Sequence, residues 1–360
     1  MKMVLHLGLV LALAVAGFAA FSFYEARYLG LFPLGEVPPK ADAYHFARSA
    51  FALFFSFLIV LAIHRNRSPD SSLDRSGMAP LGAAAALAVL ALAVACTVLF
   101  AADPVAFGAG AVEDSPIEWL SALLLLGASF LFANMLIGRL RAGSRLLSWA
   151  CLPPLVFALL LFVMGMEEIS WMQRVIGFDT PPELARANMQ QEFNLHNVHT
   201  DLSENVYYVG VGTFLILLPF LRDALHGARG ALGWIDAYVP GRWVAAVAAP
   251  LSIFNYGMWN VIPMQMTMML TVLVCLFYAR AAHGRGDRRE AALFAAIGVA
   301  VVAGQAAFLA WGHLLPYMWD ASEYKELFLT TGLAAWGVDS ALGAPGRSRA
   351  PAPDRVAAAA

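Results

Sequence analysis

The side chains with the most chemical capacity lie in one polar stretch between two apolar blocks. It opens with Glu167 and Glu168 at the end of an apolar run and continues through Ser170, Trp171, Gln173 and Arg174. It closes with Gln190, Gln191, Glu192, Asn194, His196, Asn197, His199 and Asp201. Carboxylates beside imidazoles can share and move protons, or they can ligate a metal. If 190–200 is helical, Glu192, His196 and His199 fall within about 60° of one another, which is ligand geometry for zinc or iron. Asn194 and Asn197 favour turns and oppose that helix. If the apolar helix continues to Arg174, Glu167, Trp171 and Arg174 share a face while Glu168 lies about 100° away. Arg174 could then neutralise one carboxylate and stack on Trp171. The competing reading is structural, an interfacial loop bonded to itself with Glu192 paired to Arg174 or Arg186.

A second acidic stretch, Glu113 to Trp119, contains Pro116, suited to a first helical turn, with Asp114 or Ser115 as the cap. Glu118 then sits inside the first turn of an apolar helix, where a carboxylate is rare unless it faces a cavity. The expected catalytic set is therefore Glu118, Glu167, Glu168, Arg174, Glu192 and His196, with Glu192, His196 and His199 as the expected metal ligands. Gly177 is expected to end the helix carrying Arg174. Thr180, Pro181 and Glu183 predict a short helix with Thr180 as its cap, and Asp201 with Glu204 predicts a cap for the next span. His45 and His313, on the same side, read as interfacial side chains.

The elements that must hold these residues are membrane helices. Of the 360 residues, 60% are hydrophobic and 13% are charged, against roughly a quarter charged in soluble domains. The apolar blocks are long enough to cross hydrocarbon, where only helices or closed barrels satisfy the backbone, and no strand-like alternation supports a barrel. This predicts an all-α, polytopic transmembrane bundle of about ten spans, near 3–24, 46–64, 79–101, 117–138, 147–166, 203–221, 243–261, 264–280, 290–312 and 323–341. The seventh and eighth spans meet with almost no loop, and the tenth holds Glu326 and Asp339, so a re-entrant hairpin is the alternative there. The bundle forms one domain over 1–342, with an ordered extracytoplasmic loop at 167–202 and a disordered cytoplasmic tail at 343–360. The first span resembles a signal peptide but extends past the usual length through Phe21, Phe23 and Tyr24, and is read as uncleaved.

With both termini cytoplasmic, 17 of the 23 basic residues, Arg229, Arg349 and Arg355 among them, face the cytoplasm, as the positive-inside rule requires. Acidic residues sort the other way, 17 of 25 outside. Acidic residues hardly determine topology, so their bias asks for a functional reason. No basic domain for nucleic acid is present, and Cys96, Cys151 and Cys275 lie inside apolar blocks as packing residues.

The runs Glu-Glu-Ile-Ser-Trp-Met-Gln-Arg at 167–174, Phe-Asp-Thr-Pro-Pro at 178–182, Asn-Leu-His-Asn at 194–197 and Glu-Asp-Ser-Pro-Ile-Glu-Trp at 113–119 resemble a family of uncharacterised bacterial multi-pass membrane proteins. That family implies no activity. Its usual pattern has Gly where Met172 stands and lacks a regular second His at the position of His199. The residues themselves point to an inner-membrane enzyme with an extracytoplasmic carboxylate/histidine site, acting on a lipid or lipid-linked substrate. A proton-coupled transporter and a non-catalytic assembly subunit are the alternatives.

Overall fold

The computed structural model describes residues 2–68, 71–112, 115–188, 190–225 and 238–347, and every regular element within them is helical. In chain order these are α1 (Lys2–Tyr24), α2 (Ala43–Arg65), α3 (Ser72–Arg75), α4 (Pro80–Ala102), α5 (Pro104–Ala109), α6 (Pro116–Arg141) and α7 (Leu152–Glu168). There follow the short α8 (Gln173–Ile176) and α9 (Pro182–Ala187), then α10 (Thr200–Leu225) with a π turn at Thr213–Leu217. The last four are α11 (Arg242–Ala248), α12 (Ile262–Gly284), α13 (Arg288–Trp311) and α14 (Asp320–Arg347).

Local chemistry accounts for the ends of the long helices. The Asp42 side chain accepts from the His45 N–H at the start of α2, and Asp287 does the same for Glu290 in α13. Pro80 and Pro116 occupy first turns that need no N–H partner. A helix the length of α2, 23 residues, spans about 35 Å, enough for a hydrocarbon core of roughly 30 Å.

Among the described residues seven helices are long and apolar enough to cross a membrane, α1, α2, α4, α6, α10, α12 and α13, or eight if the bent pair of α7 and α8 counts as one. These segments are compatible with an integral membrane protein. Their outward faces carry Leu81, Leu123, Phe130, Val156, Leu159 and Val299, each more than half exposed, as side chains are when lipid covers them.

Seven of the ten expected spans are such helices, and the one expected at 147–166 counts only as the bent pair of α7 and α8; the remaining two differ. The segment expected at 243–261 is helical only through α11 and a 3₁₀ turn at Ala249–Ile253, and it is buried almost throughout. Pro250 lies inside that turn, where it withholds a backbone donor. The segment expected at 323–341 is one continuous helix, α14, but its interior carries Glu323, Lys325, Glu326 and Asp339 and it is not among the seven. It packs in the interior against α6 and α11. A Cβ added at Gly337 would lie 3.2 Å from Ala128, so small residues let these backbones approach closely. The expected tail is helical as far as Arg347, while 348–360, Arg229, Glu113 and Asp114 lie outside the described residues.

Each end of the bundle has a distinct polar character. At one, buried Arg242 bridges Asp223 at 3.0 Å and Glu290 at 2.9 Å, and donates to the Ser72 carbonyl at 2.8 Å. Tyr278 also donates to Asp223, and Arg285 pairs with Glu290 at 3.0 Å. The other end holds the acidic residues singled out above.

Candidate functional site

The polar loop after α7 is ordered by its own side chains. The helix does not continue to Arg174; it breaks after Glu168, and the chain turns by 68° into α8. Ser170, Trp171 and Met172 all have positive φ, 45°, 55° and 60°, a region that disfavours side-chain-bearing residues. Met172 is left-handed, a conformation that glycine adopts freely and a side-chain-bearing residue does not. Gly177 ends α8 with φ 79°, as expected. Thr180 is not the cap of α9. It accepts from Gln173 Nε2 at 2.8 Å, and the helix starts one residue later, at Pro182.

The paired carboxylates, adjacent in α7, have different surroundings. Glu167 faces the loop: one oxygen accepts from Trp171 Nε1 at 2.6 Å, the other from the Leu195 and His196 N–H groups at 2.6 and 3.2 Å. His196 Nδ1 lies 3.5 Å from the same oxygen. Glu192 is held by Ser170, Asn194 and Arg174. Arg174 thus pairs with Glu192 across the loop and not with Glu167 along a helix.

The segment 190–200 is not a helix. A single 3₁₀ turn at His196–Val198 precedes α10, because Asn188 donates to both the carbonyl and the side chain of Asn194, and Asn197 donates to Gln190. The helical spacing that would align Glu192, His196 and His199 is therefore absent. Among the described residues no three His, Cys, Asp or Glu side chains are arranged to hold a metal ion. Asp201 does not cap α10 with Glu204; it accepts from the Glu36 N–H at 3.3 Å.

Glu168 belongs to a second group. It interacts electrostatically with Glu118 of α6 and with Glu323 and Glu326 of α14. Glu204 of α10 interacts with Glu326, and Tyr207 with both Glu168 and Glu326. Tyr208 donates to Glu326. Lys325, 1% exposed, is the cation of the group. Its ammonium donates to Asn255 Oδ1 at 2.5 Å and lies 4.4 Å from the Tyr208 ring centroid. His196, beside Glu167 of the loop, also interacts electrostatically with Glu326.

A strap from the segment between α1 and α2 packs against this group. Asn205 donates to the Leu34 carbonyl at 2.9 Å, Val37 donates to Gly257 at 2.9 Å, and Asn260 donates to Pro38 at 3.0 Å. Glu36 accepts from the Ser322 hydroxyl at 3.4 Å and interacts with Lys325 and Glu204. It lies so close to Gly257 that a Cβ there would meet it at 2.0 Å. Burial pushes the Glu36 carboxyl up to about 7; Asp201 adds to the rise, while Ser322 and Lys325 oppose it.

Of the expected catalytic set, Glu118 and Glu168 enter the chamber, whereas Glu167, Arg174 and Glu192 build the loop above it. Glu204, Glu323, Lys325, Glu326, Tyr207, Tyr208 and Glu36 were not expected there. The signal for three of them is present in sequence as charges within the apolar run 323–341. Glu36 and the two tyrosines give none. His45 is occupied by Asp42 at 2.8 Å and His313 is exposed.

No family model matches this chain, and no curated protein or solved structure matches it.

Proposed function

We propose that this chain is a multi-pass protein of a bacterial inner membrane, with its basic loops in the cytoplasm, and that the acidic chamber is the acid/base site of an enzyme acting on a lipid or lipid-linked substrate. The observation that carries this reading is the meeting of Glu118, Glu168, Glu204, Glu323 and Glu326, from four separate helices, in one group with Lys325 and two tyrosines. Carboxyl groups in unequal surroundings supply a proton donor and a proton acceptor side by side. In this reading Glu168 and Glu326 exchange the proton, Lys325 and Tyr208 hold Glu326 in place, and Glu167, Glu192, Arg174 and His196 position the loop over the substrate. Support for a lipid substrate comes from the apolar side chains around the loop. Val175, Ile176, Leu195, Leu202 and Val206 are each at least half exposed, a surface suited to the headgroup and acyl boundary.

The test uses the full chain in nanodiscs, incubated with a bacterial polar lipid extract supplemented with isoprenoid-linked glycans and followed by mass spectrometry. Wild type is expected to convert one species. Glu168→Gln and Glu326→Gln, both eluting as folded protein, are expected to lose at least a hundredfold in rate, the usual scale for removing a proton-transfer group. Conversion by both variants at the wild-type rate would refute the assignment, as would the absence of any conversion by wild type.

Proton-coupled transport is the second reading, favoured by the polar groups deeper than Lys325. Asn255 bonds to that lysine, and Ser252 and Thr271 bond to each other at 2.9 Å in the core beyond it. Dye-reported proton movement into liposomes that ceases in Lys325→Met, without lipid turnover, would select it.

A further inference from the structure

The opposite end of the bundle carries a cavity of about 320 Å³ that the acidic chamber does not use. It lies where α2 and α12 end, and both helices are 23 residues long, so it is about 35 Å from the strap. His64, Arg67, Arg280 and Arg285 line it, together with the apolar Leu73 and Phe277. Among the described residues its lining holds four basic side chains and no acidic one.

Positive charge at this end is expected of any loop retained in the cytoplasm, but such charge needs no concave arrangement and no fixed geometry. Here the geometry is fixed. The Arg285 guanidinium is tied to Glu290 at 3.0 Å and to the Leu73 carbonyl. Glu290 is held in turn by Arg242 and by the Met78 N–H, each at 2.9 Å. His64 packs on the Phe277 ring with centroids 4.6 Å apart, and the Arg67 guanidinium lies 3.2 Å from the His64 ring nitrogens. The loop behind them is anchored where the Ser68 N–H donates to the Ala224 carbonyl at 2.9 Å.

We infer that this cavity binds a phosphate ester. Guanidinium groups lining one cavity can meet the tetrahedral oxygens of phosphate with paired, charge-assisted hydrogen bonds, and its apolar lining accommodates the carbon group that the phosphate carries. Both an anionic phospholipid of the adjoining leaflet and a soluble phosphate ester present that chemistry. This inference is independent of the acidic chamber.

Isothermal titration of the detergent-purified full chain distinguishes the sources. The probes are dioctanoyl phosphatidylglycerol, glycerol 3-phosphate, and dioctanoylglycerol, which keeps the acyl chains without the phosphate. Saturable binding of the phosphatidylglycerol is expected, weakened at least tenfold by Arg67→Gln with Arg280→Gln and weakened further by added salt. If glycerol 3-phosphate binds as tightly as the lipid, the soluble ester is the ligand; if it binds only weakly, the lipid headgroup is. The exposed Arg280→Gln alone, expected to weaken binding severalfold, serves if the double variant does not fold. Equal affinity for dioctanoylglycerol, binding unchanged in the variants, or no binding of either phosphate ester would overturn the inference.

Discussion

Replacing Glu36 tests the strap most directly, because its carboxyl titrates in an accessible range. In the folded chain burial raises it from 4.5 to about 7, whereas in the unfolded chain it returns to the ordinary value. The folded state therefore binds the proton more tightly, and stability falls as pH rises from about 4.5 through 7. Raising the carboxyl from 4.5 to about 7, at about 1.4 kcal/mol per tenfold change in proton affinity, gives an upper limit of about 3.5 kcal/mol lost above pH 7. Glu36→Gln keeps an acceptor for the Ser322 hydroxyl but does not titrate. The variant in nanodiscs is expected to be more stable than wild type at pH 8 and nearly equal to it at pH 4.5. Thermal denaturation followed by tryptophan fluorescence between pH 4.5 and 8 measures both curves. Parallel curves across that range would refute the burial of Glu36 against Gly257 within the strap.

Two further outcomes concern stability away from the chamber. Met172→Gly should raise stability by about 1 kcal/mol, since glycine relieves a left-handed φ of 60°, and the midpoint of unfolding in a mixed-micelle denaturant series reads it; a lowered midpoint would show that the turn is not formed as described. Arg242→Met should cost about 3 kcal/mol in the same assay, because it strips a guanidinium from buried Asp223 and Glu290, each of which keeps one other arginine; a neutral effect would refute the buried network.

Much of the architecture is legible in the residue order. The apolar blocks specify helices because hydrocarbon leaves the backbone no other partner. Ser115 caps α6, accepting from the Glu118 N–H, and Pro116 starts it, as their types require. Gly177 ends α8 for the same local reason. The loop after α7 reads as ordered, and the pairing of Glu192 with Arg174 was among its expected alternatives. Local rules fail where a side chain competes with the helix for the backbone. At 190–200 the asparagine amides win and the ligand-like spacing of Glu192, His196 and His199 disappears. At Ser170 to Met172 the bend ends α7 and folds the loop back, so that Leu195 and His196 reach Glu167 while Glu168, about 100° round the same helix, joins the acidic group.

By itself, then, the sequence determines that this chain is a helical bundle with lipid-compatible surfaces and charges sorted between its ends. Those properties follow from side-chain type and from periods of a few residues. Only tertiary structure decides that Glu118, Glu168, Glu204, Glu323 and Glu326 share one chamber and that Glu36 packs against it. They come from four helices and a connecting segment, with Glu36 and Glu326 290 positions apart, and no local preference encodes which buried faces meet. Close packing of small residues such as Gly337 and Ala128 brings α14, with its buried charges, against α6.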